Sequence, residues 1–181
     1  MEAILETTRE QQERRGKIRT FTGRYVNPLK MRASDICIED IAHHLSLICR
    51  YTGACPRHYS VAQHSVIASY YPLGPQTREH KLARLLHDSG EYVFNDLASP
   101  VKQAPQMKFY RDLEHETTKL IFCVFGLDPD LLALTKPADD WVFRREAASW
   151  WGAPTALEYV RPWSEKASER GFRKRFEELR E

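Results

Sequence analysis

The residues best equipped for chemistry sit in the run LARLLHDSGEYVFND, residues 82–96. Leu82, Leu85 and Leu86 are spaced as the buried face of a helix, yet His87 and Asp88 follow directly on them. An imidazole and a carboxylate are costly to bury without partners, because each gives up water and must replace those hydrogen bonds. Neighbouring helical residues point about a quarter-turn apart, so the two side chains can straddle one point beside the helix. A divalent cation at that point would neutralise the carboxylate and take the imidazole lone pair. His64, in the apolar stretch SVAQHSVIA, and Asp139, in KPADDWVF, are candidates to complete the set. Two nitrogens and two oxygens suit Zn, Co, Mn, Ni or Fe(II), and on an octahedral ion leave positions for water and a phosphate oxygen. Glu91 lies one helical turn past the dipeptide. Each member also has a plainer role. His64 would serve as a satisfied core histidine, Asp139 as a helix cap, and Asp140 competes with Asp139 for the fourth ligand position.

Helices must present these residues. The run SDICIEDIAHHLSLICR (34–50) carries Ile38, Ile41, Leu45 and Ile48 at helical spacing. YSVAQHSVIASYY forms the next helix, and TREHKLARLLHDSGEYVF a third that breaks at Gly90. LASPVKQAP reads as a loop. QMKFYRDLEHETTKLIFCVFG is a long amphipathic helix with Gly126 just past its end. Pro137 kinks or restarts the helix of PDLLALTKPADDWVFRREAASWW, and SEKASERGFRKRFEELRE makes a last, solvated helix. TFTGRYVNPLKM is an extended loop, and no alternating strand pattern occurs. The expectation is an all-α fold: a charged lead-in over residues 1–17 and one domain over 18–181.

Composition narrows the partners. A net charge of +2 over 181 residues demands neither nucleic acid nor membrane, and the mixed signs of the C-terminal helix fit a solvated face. No apolar run approaches the roughly 20 residues of a membrane span. Cys37, Cys49, Cys55 and Cys123 form no CxxC pair, as expected of reduced thiols in a cytoplasmic protein. His43, His44, His58 with Arg57, and His115 are assigned structural or surface places. Trp141, Trp150, Trp151 and Trp163 are assigned to core or subunit interface.

The segments YSVAQH, ARLLHDSGEYVFNDLASPVK and TKPAD resemble the HD-domain metal-dependent phosphohydrolases, over residues 18 to about 150. That signature is H…HD…D on an all-α helical bundle. The extended forms are similar to the branch holding bacterial 5′-deoxynucleotidases and small phage dATP triphosphohydrolases. TGRYVNPL and IEDIAHHLSLICRYTG are closer to the phage type. The resemblance implies that His64, His87, Asp88 and Asp139 hold the ion and that Glu91 is the catalytic carboxylate. It places Asp96 near the sugar 3′-hydroxyl, Lys102 on a phosphate, Arg50 and Tyr51 along the nucleotide, and Pro100 in the loop bordering base or sugar. Pro137 and the doubled Asp139–Asp140 depart from the family's usual unbroken helix with one Asp.

The implied activity is hydrolysis of dATP to deoxyadenosine and triphosphate, which depletes dATP in a phage with a 2-aminoadenine genome. The implied cofactor is Zn, Co or Mn, with additional Mg or Co at the phosphates. The implied partners are a small-molecule deoxynucleotide and further copies of the chain, as a dimer or hexamer, in the cytoplasm of a host cell if phage-encoded. The alternatives are a 5′-deoxynucleotidase acting on monophosphates and a non-catalytic nucleotide- or RNA-binding module on the same fold.

Overall fold

The computed structural model describes residues 15–152 and 159–180, so most of the charged lead-in expected over 1–17 lies outside the described residues. The described chain is all-α apart from one small hairpin. The helices are α1 (Ile38–Leu47), α2 (Val61–Ser69), α3 (Arg78–Leu86), α4 (Glu91–Phe94), α5 (Ser99–Lys102), α6 (Lys108–Val124), α7 (Lys136–Trp151) and α8 (Glu165–Arg180).

Helix α2 is the axis of the bundle. It packs against α1, α3, α7 and α8, and almost every side chain from Val61 to Ser69 is buried. A helix that is covered on all sides must bury its polar residues too, and each then needs a partner. Ser60 caps it by accepting from the Gln63 amide, as the run YS-VAQ requires. The Gln63 side chain donates to the Arg161 carbonyl and accepts from the Trp163 amide, which ties the approach to α8 onto the bundle centre. Around this axis Ile41 and Leu45 of α1, Leu82, Leu85 and Leu86 of α3, Ile121 and Phe122 of α6, and Phe172 and Phe176 of α8 form one continuous core.

Several local expectations change for physical reasons. The helix expected over 34–50 is shorter, because Cys37 and Ile48 are extended and bound α1 on either side. The extended loop TFTGRYVNPLKM is in part a hairpin. Strand β1 (Ile18–Arg19) pairs antiparallel with β2 (Tyr25–Val26) across a turn where Gly23 takes a φ of +89°. Only two residues per strand pair, too few for an alternating pattern to show. LASPVKQAP contains helix α5, with Pro100 in its first turn, where a missing amide costs nothing. Pro137 does the same service at the start of α7, after a 3-10 segment Pro129–Leu134, so it restarts the helix rather than kinking it. The last helix is not merely solvated, since Ser168, Phe172, Phe176 and Leu179 of α8 are buried against α1, α2 and α3.

The third helix does break, over the turn His87–Gly90 rather than at Gly90 alone. Helix α3 ends at Leu86, a turn follows, and α4 opens at Glu91. A Cβ on Gly90 would stand 2.5 Å from Thr118 Oγ1 and 2.8 Å from the Glu114 carbonyl oxygen. Glycine is what lets this turn lie directly on α6. Gly126 ends α6 with a φ of +75°, as its position past the apolar face required.

Candidate metal centre

His64 projects from the middle of α2, His87 is the C-cap residue of α3, Asp88 follows it, and Asp139 sits in the first turn of α7. Three separate elements thus deliver their tips to one point. His64 Nε2 lies 3.2 Å from His87 Nε2, 3.6 Å from Asp88 Oδ2 and 3.3 Å from Asp139 Oδ1. His87 Nε2 lies 3.2 Å from Asp88 Oδ2 and 4.0 Å from Asp139 Oδ1. Ligand atoms of His64, His87 and Asp88 all fall within 4.8 Å of one another. The rival carboxylate, Asp140, pairs with Lys136 Nζ at 2.6 Å. Lys136 also reaches the outer oxygen of Asp139, at 3.0 Å.

The outer ring nitrogens decide what faces that point. His87 Nδ1 is 2.8 Å from the Arg84 carbonyl oxygen, which can only accept, so Nδ1 carries the hydrogen. Nε2 is then the lone-pair end of the neutral ring. His64 Nδ1 is 2.7 Å from Glu146 Oε1, and both side chains are wholly buried. Burial alone would raise the Glu146 carboxyl, but His64 and Arg50 outweigh it and bring it down to about 2. An ionised carboxylate makes Nδ1 of His64 the donor as well.

Two Nε2 lone pairs and two carboxylate oxygens therefore converge with only acceptors toward one another. Such a cluster repels itself unless something positive lies among its atoms. A proton is one answer. Burial and Arg50 would lower the His64 imidazole, yet Glu146 and Asp139 prevail and hold it up to about 9. Burial would likewise raise Asp88 and Asp139, but the imidazoles hold both well below the usual carboxylate range. A divalent ion among His64, His87 and Asp88, with Asp139 beside His64, would answer the same charges, with Glu146 and the Arg84 carbonyl fixing the two rings from behind. The donor set fits such an ion.

The surroundings were only partly foreseen. Arg50 is largely covered beside the cluster, 3.5 Å from Asp88 Oδ2 and 3.5 Å from Glu146 Oε2. Tyr51 donates its hydroxyl to Glu146 and packs edge-on against Trp150 and Trp151, so it buttresses the centre from behind. Both belong to the tight turn Arg50–Gly53, where Tyr51, Thr52 and Gly53 take φ values of 57°, 55° and 80°. Two successive non-glycine residues in the left-handed region carry strain of order 1–3 kcal/mol each, a common mark of functional turns.

Glu91 is buried, with Oε1 3.3 Å from Lys102 Nζ and Oε2 without a hydrogen-bond partner. Burial, then the charges of Asp88 and Asp96, push its carboxyl well above the ordinary value against the pull of Lys102. Lys102 is also 2.5 Å from Glu114 Oε1, so two carboxylates already hold it. Asp96 borders a cleft of about 550 Å³ with Leu47, Cys49, Thr52, Gly53, Ala98 and Val101. Its carboxyl is raised by burial, which outweighs Arg50. Pro100 is exposed on α5 between two residues that line this cleft.

Glu146 and Glu114 escaped the sequence reading. Each is one carboxylate among several in a helix rich in charge, and no short-range spacing ties Glu146 to His64 or Glu114 to Lys102. His43, His44 and His58 hold structure. His43 stacks on Phe21 and meets Glu169, and His44 accepts from the Phe21 amide while its other nitrogen meets the Tyr92 carbonyl. His58 reaches the Ser46 carbonyl, and His115 is exposed. No helix among the described residues is long and apolar enough to cross a membrane.

No family model matches the chain. Among curated proteins, the uncharacterized protein YfdR of Escherichia coli K12 is 37% identical over 122 residues, covering 67% of this chain and 65% of YfdR. The chain thus spans slightly less than two thirds of that relative's length. An uncharacterized protein of Rhodobacter capsulatus is 35% identical over 161 residues, covering 86% of this chain and 79% of the relative. At that identity, over that share of both sequences, this chain belongs to one family with the Rhodobacter capsulatus protein.

Proposed function

We propose that the chain is a metal-dependent phosphohydrolase of the HD type acting on deoxynucleotides, with dATP cleaved to deoxyadenosine and triphosphate. One observation supports it above the others: the His64 and His87 imidazoles bring their Nε2 atoms within 3.2 Å of each other, flanked by Asp88 and Asp139. His64, His87, Asp88 and Asp139 would hold the ion, and the chemistry it would supply when bound is Lewis-acid polarisation of a phosphoryl oxygen and acidification of water. Arg50, already beside Asp88, balances charge at the phosphoryl group. Glu91, its carboxyl pushed upward by burial and by the charges of Asp88 and Asp96, is placed to orient the water or relay a proton to the departing sugar oxygen. Asp96 and the apolar walls of the adjoining cleft receive the deoxynucleoside.

A second reading, a 5′-deoxynucleotidase releasing inorganic phosphate, is favoured by one feature. Lys102 and Arg50 each answer two carboxylates, which leaves little unspent positive charge for a triphosphate. A product assay on purified, metal-loaded protein separates the two. Release of triphosphate from dATP is the expected result, whereas phosphate released from dAMP in preference selects the second. No bound metal and no turnover of either would leave a non-catalytic module.

A further inference from the structure

Four cysteines scattered through the sequence gave no sign of pairing, but the fold brings two of them together. Cys49 and Cys55 place their Sγ atoms 3.5 Å apart. They flank residues 50–54, the turn that carries Arg50 and Tyr51. Cys55 is buried and its Sγ also faces the Arg50 carbonyl, at 3.8 Å. Cys49 is partly exposed and lines the cleft that Asp96 borders. Cys37 lies beside Glu39, and Cys123 is exposed on α6.

We infer that Cys49 and Cys55 are a redox-active pair, which a peroxide closes to a reversible disulfide across the base of the Arg50 turn. Cys49, open to the cleft, meets the oxidant first. Its sulfur attacks one peroxide oxygen, the O–O bond breaks, and Cys49 becomes a sulfenic acid with release of one water. The Cys55 sulfur then attacks the Cys49 sulfur, the S–O bond breaks, and hydroxide leaves with the Cys55 proton as a second water. Two thiols lose two electrons in total and the peroxide gains them. A disulfide needs its sulfurs about 2.05 Å apart, so closure draws in both ends of the turn. That pull is transmitted to Tyr51, which packs edge-on against Trp150 and Trp151. Added dithiol reverses the exchange.

The inference is independent of the reaction the metal centre performs, and its test uses no turnover. The full chain is treated with hydrogen peroxide, alkylated, digested and weighed. Alkylatable thiols should fall from the four of the reduced chain to two, with one linked peptide pair joining Cys49 and Cys55. Dithiothreitol should restore all four. Tryptophan emission should shift on oxidation and return on reduction, and in Cys49→Ser or Cys55→Ser it should not move. A chain carrying Cys37→Ser and Cys123→Ser together should behave as the parent does. Over-oxidation of Cys49 with Cys55 still alkylatable, a bridge to any other cysteine, or a bridge that leaves emission unchanged would each overturn the inference.

Discussion

Around His64 the outcome turns on which atom carries a hydrogen. Because the Arg84 carbonyl and Glu146 occupy the two Nδ1 positions, both Nε2 atoms are left as acceptors. His87→Ala and Asp88→Ala should therefore lose bound metal, read by elemental analysis, and with it all activity. Asp139→Ala should follow them, and Asp140→Ala should keep its metal because Asp140 answers Lys136 instead. Full metal content in the Asp139 variant would remove that residue from the set. Glu91→Ala should keep the metal and lose on the order of 10²-fold in rate, the usual scale for a positioned proton donor. If the variant loses its metal as well, Glu91 is a ligand.

In chelator, a further consequence appears in stability. The His64 imidazole rises from 6.5 to about 9 on folding, against its own burial and Arg50, through Glu146 and Asp139. A raised group stabilises the fold fully below its unfolded value and ceases to as pH climbs through the folded one. The melting temperature of chelated protein should thus fall between pH 6.5 and 9. Metal-loaded protein should show no such fall from this source, since the ion takes the proton's place. A flat profile in chelator would count against the lone-pair geometry.

Among the elements, the α3–α4 turn is tightly constrained, because it carries both candidate ligands of one dipeptide while lying on α6. Gly90→Ala should cost roughly 1–3 kcal/mol, the scale of overpacking, since its Cβ meets Thr118 and the backbone of Glu114. Denaturant unfolding checks this. Because Asp88 is two residues away, the same variant should bind metal more weakly as well, and unchanged stability would show that α6 can move aside. The Arg50–Gly53 turn is constrained differently: its left-handed residues place Arg50 and Tyr51 on Glu146 together, so turn conformation and ring orientation are mechanically joined.

For the whole molecule, the decisive feature is that α2 runs through the middle of the bundle. The C-terminal helix closes the core on α1, α2 and α3, so it should unfold with them and not before. Phe172→Ala removes a fully buried ring and should cost about 3–5 kcal/mol while keeping one cooperative transition. Two separate transitions in calorimetry would mean that α8 is an independent attachment.

By itself the sequence determined the helical class, an interruption at Gly90, the stop at Gly126 and a kink or restart at Pro137, of which the structure chose the restart. Those features rest on periodicity, on backbone limits of glycine and proline, and on the burial cost of a polar pair, all of which act over a few residues. The candidate ligands were nameable because His64 and the His87–Asp88 pair each interrupt or adjoin an apolar helical face. Tertiary structure alone set Asp139 rather than Asp140 beside His64, since adjacent carboxylates differ only in which way a helix is turned toward its neighbour. It alone put Glu146 behind His64, Glu114 on Lys102 and Cys55 against Cys49. It also gave α8 a buried face that its many charges had hidden. Side chains pair by distance, and partners such as Glu146 and His64, 82 positions apart, share no local pattern that spacing could reveal.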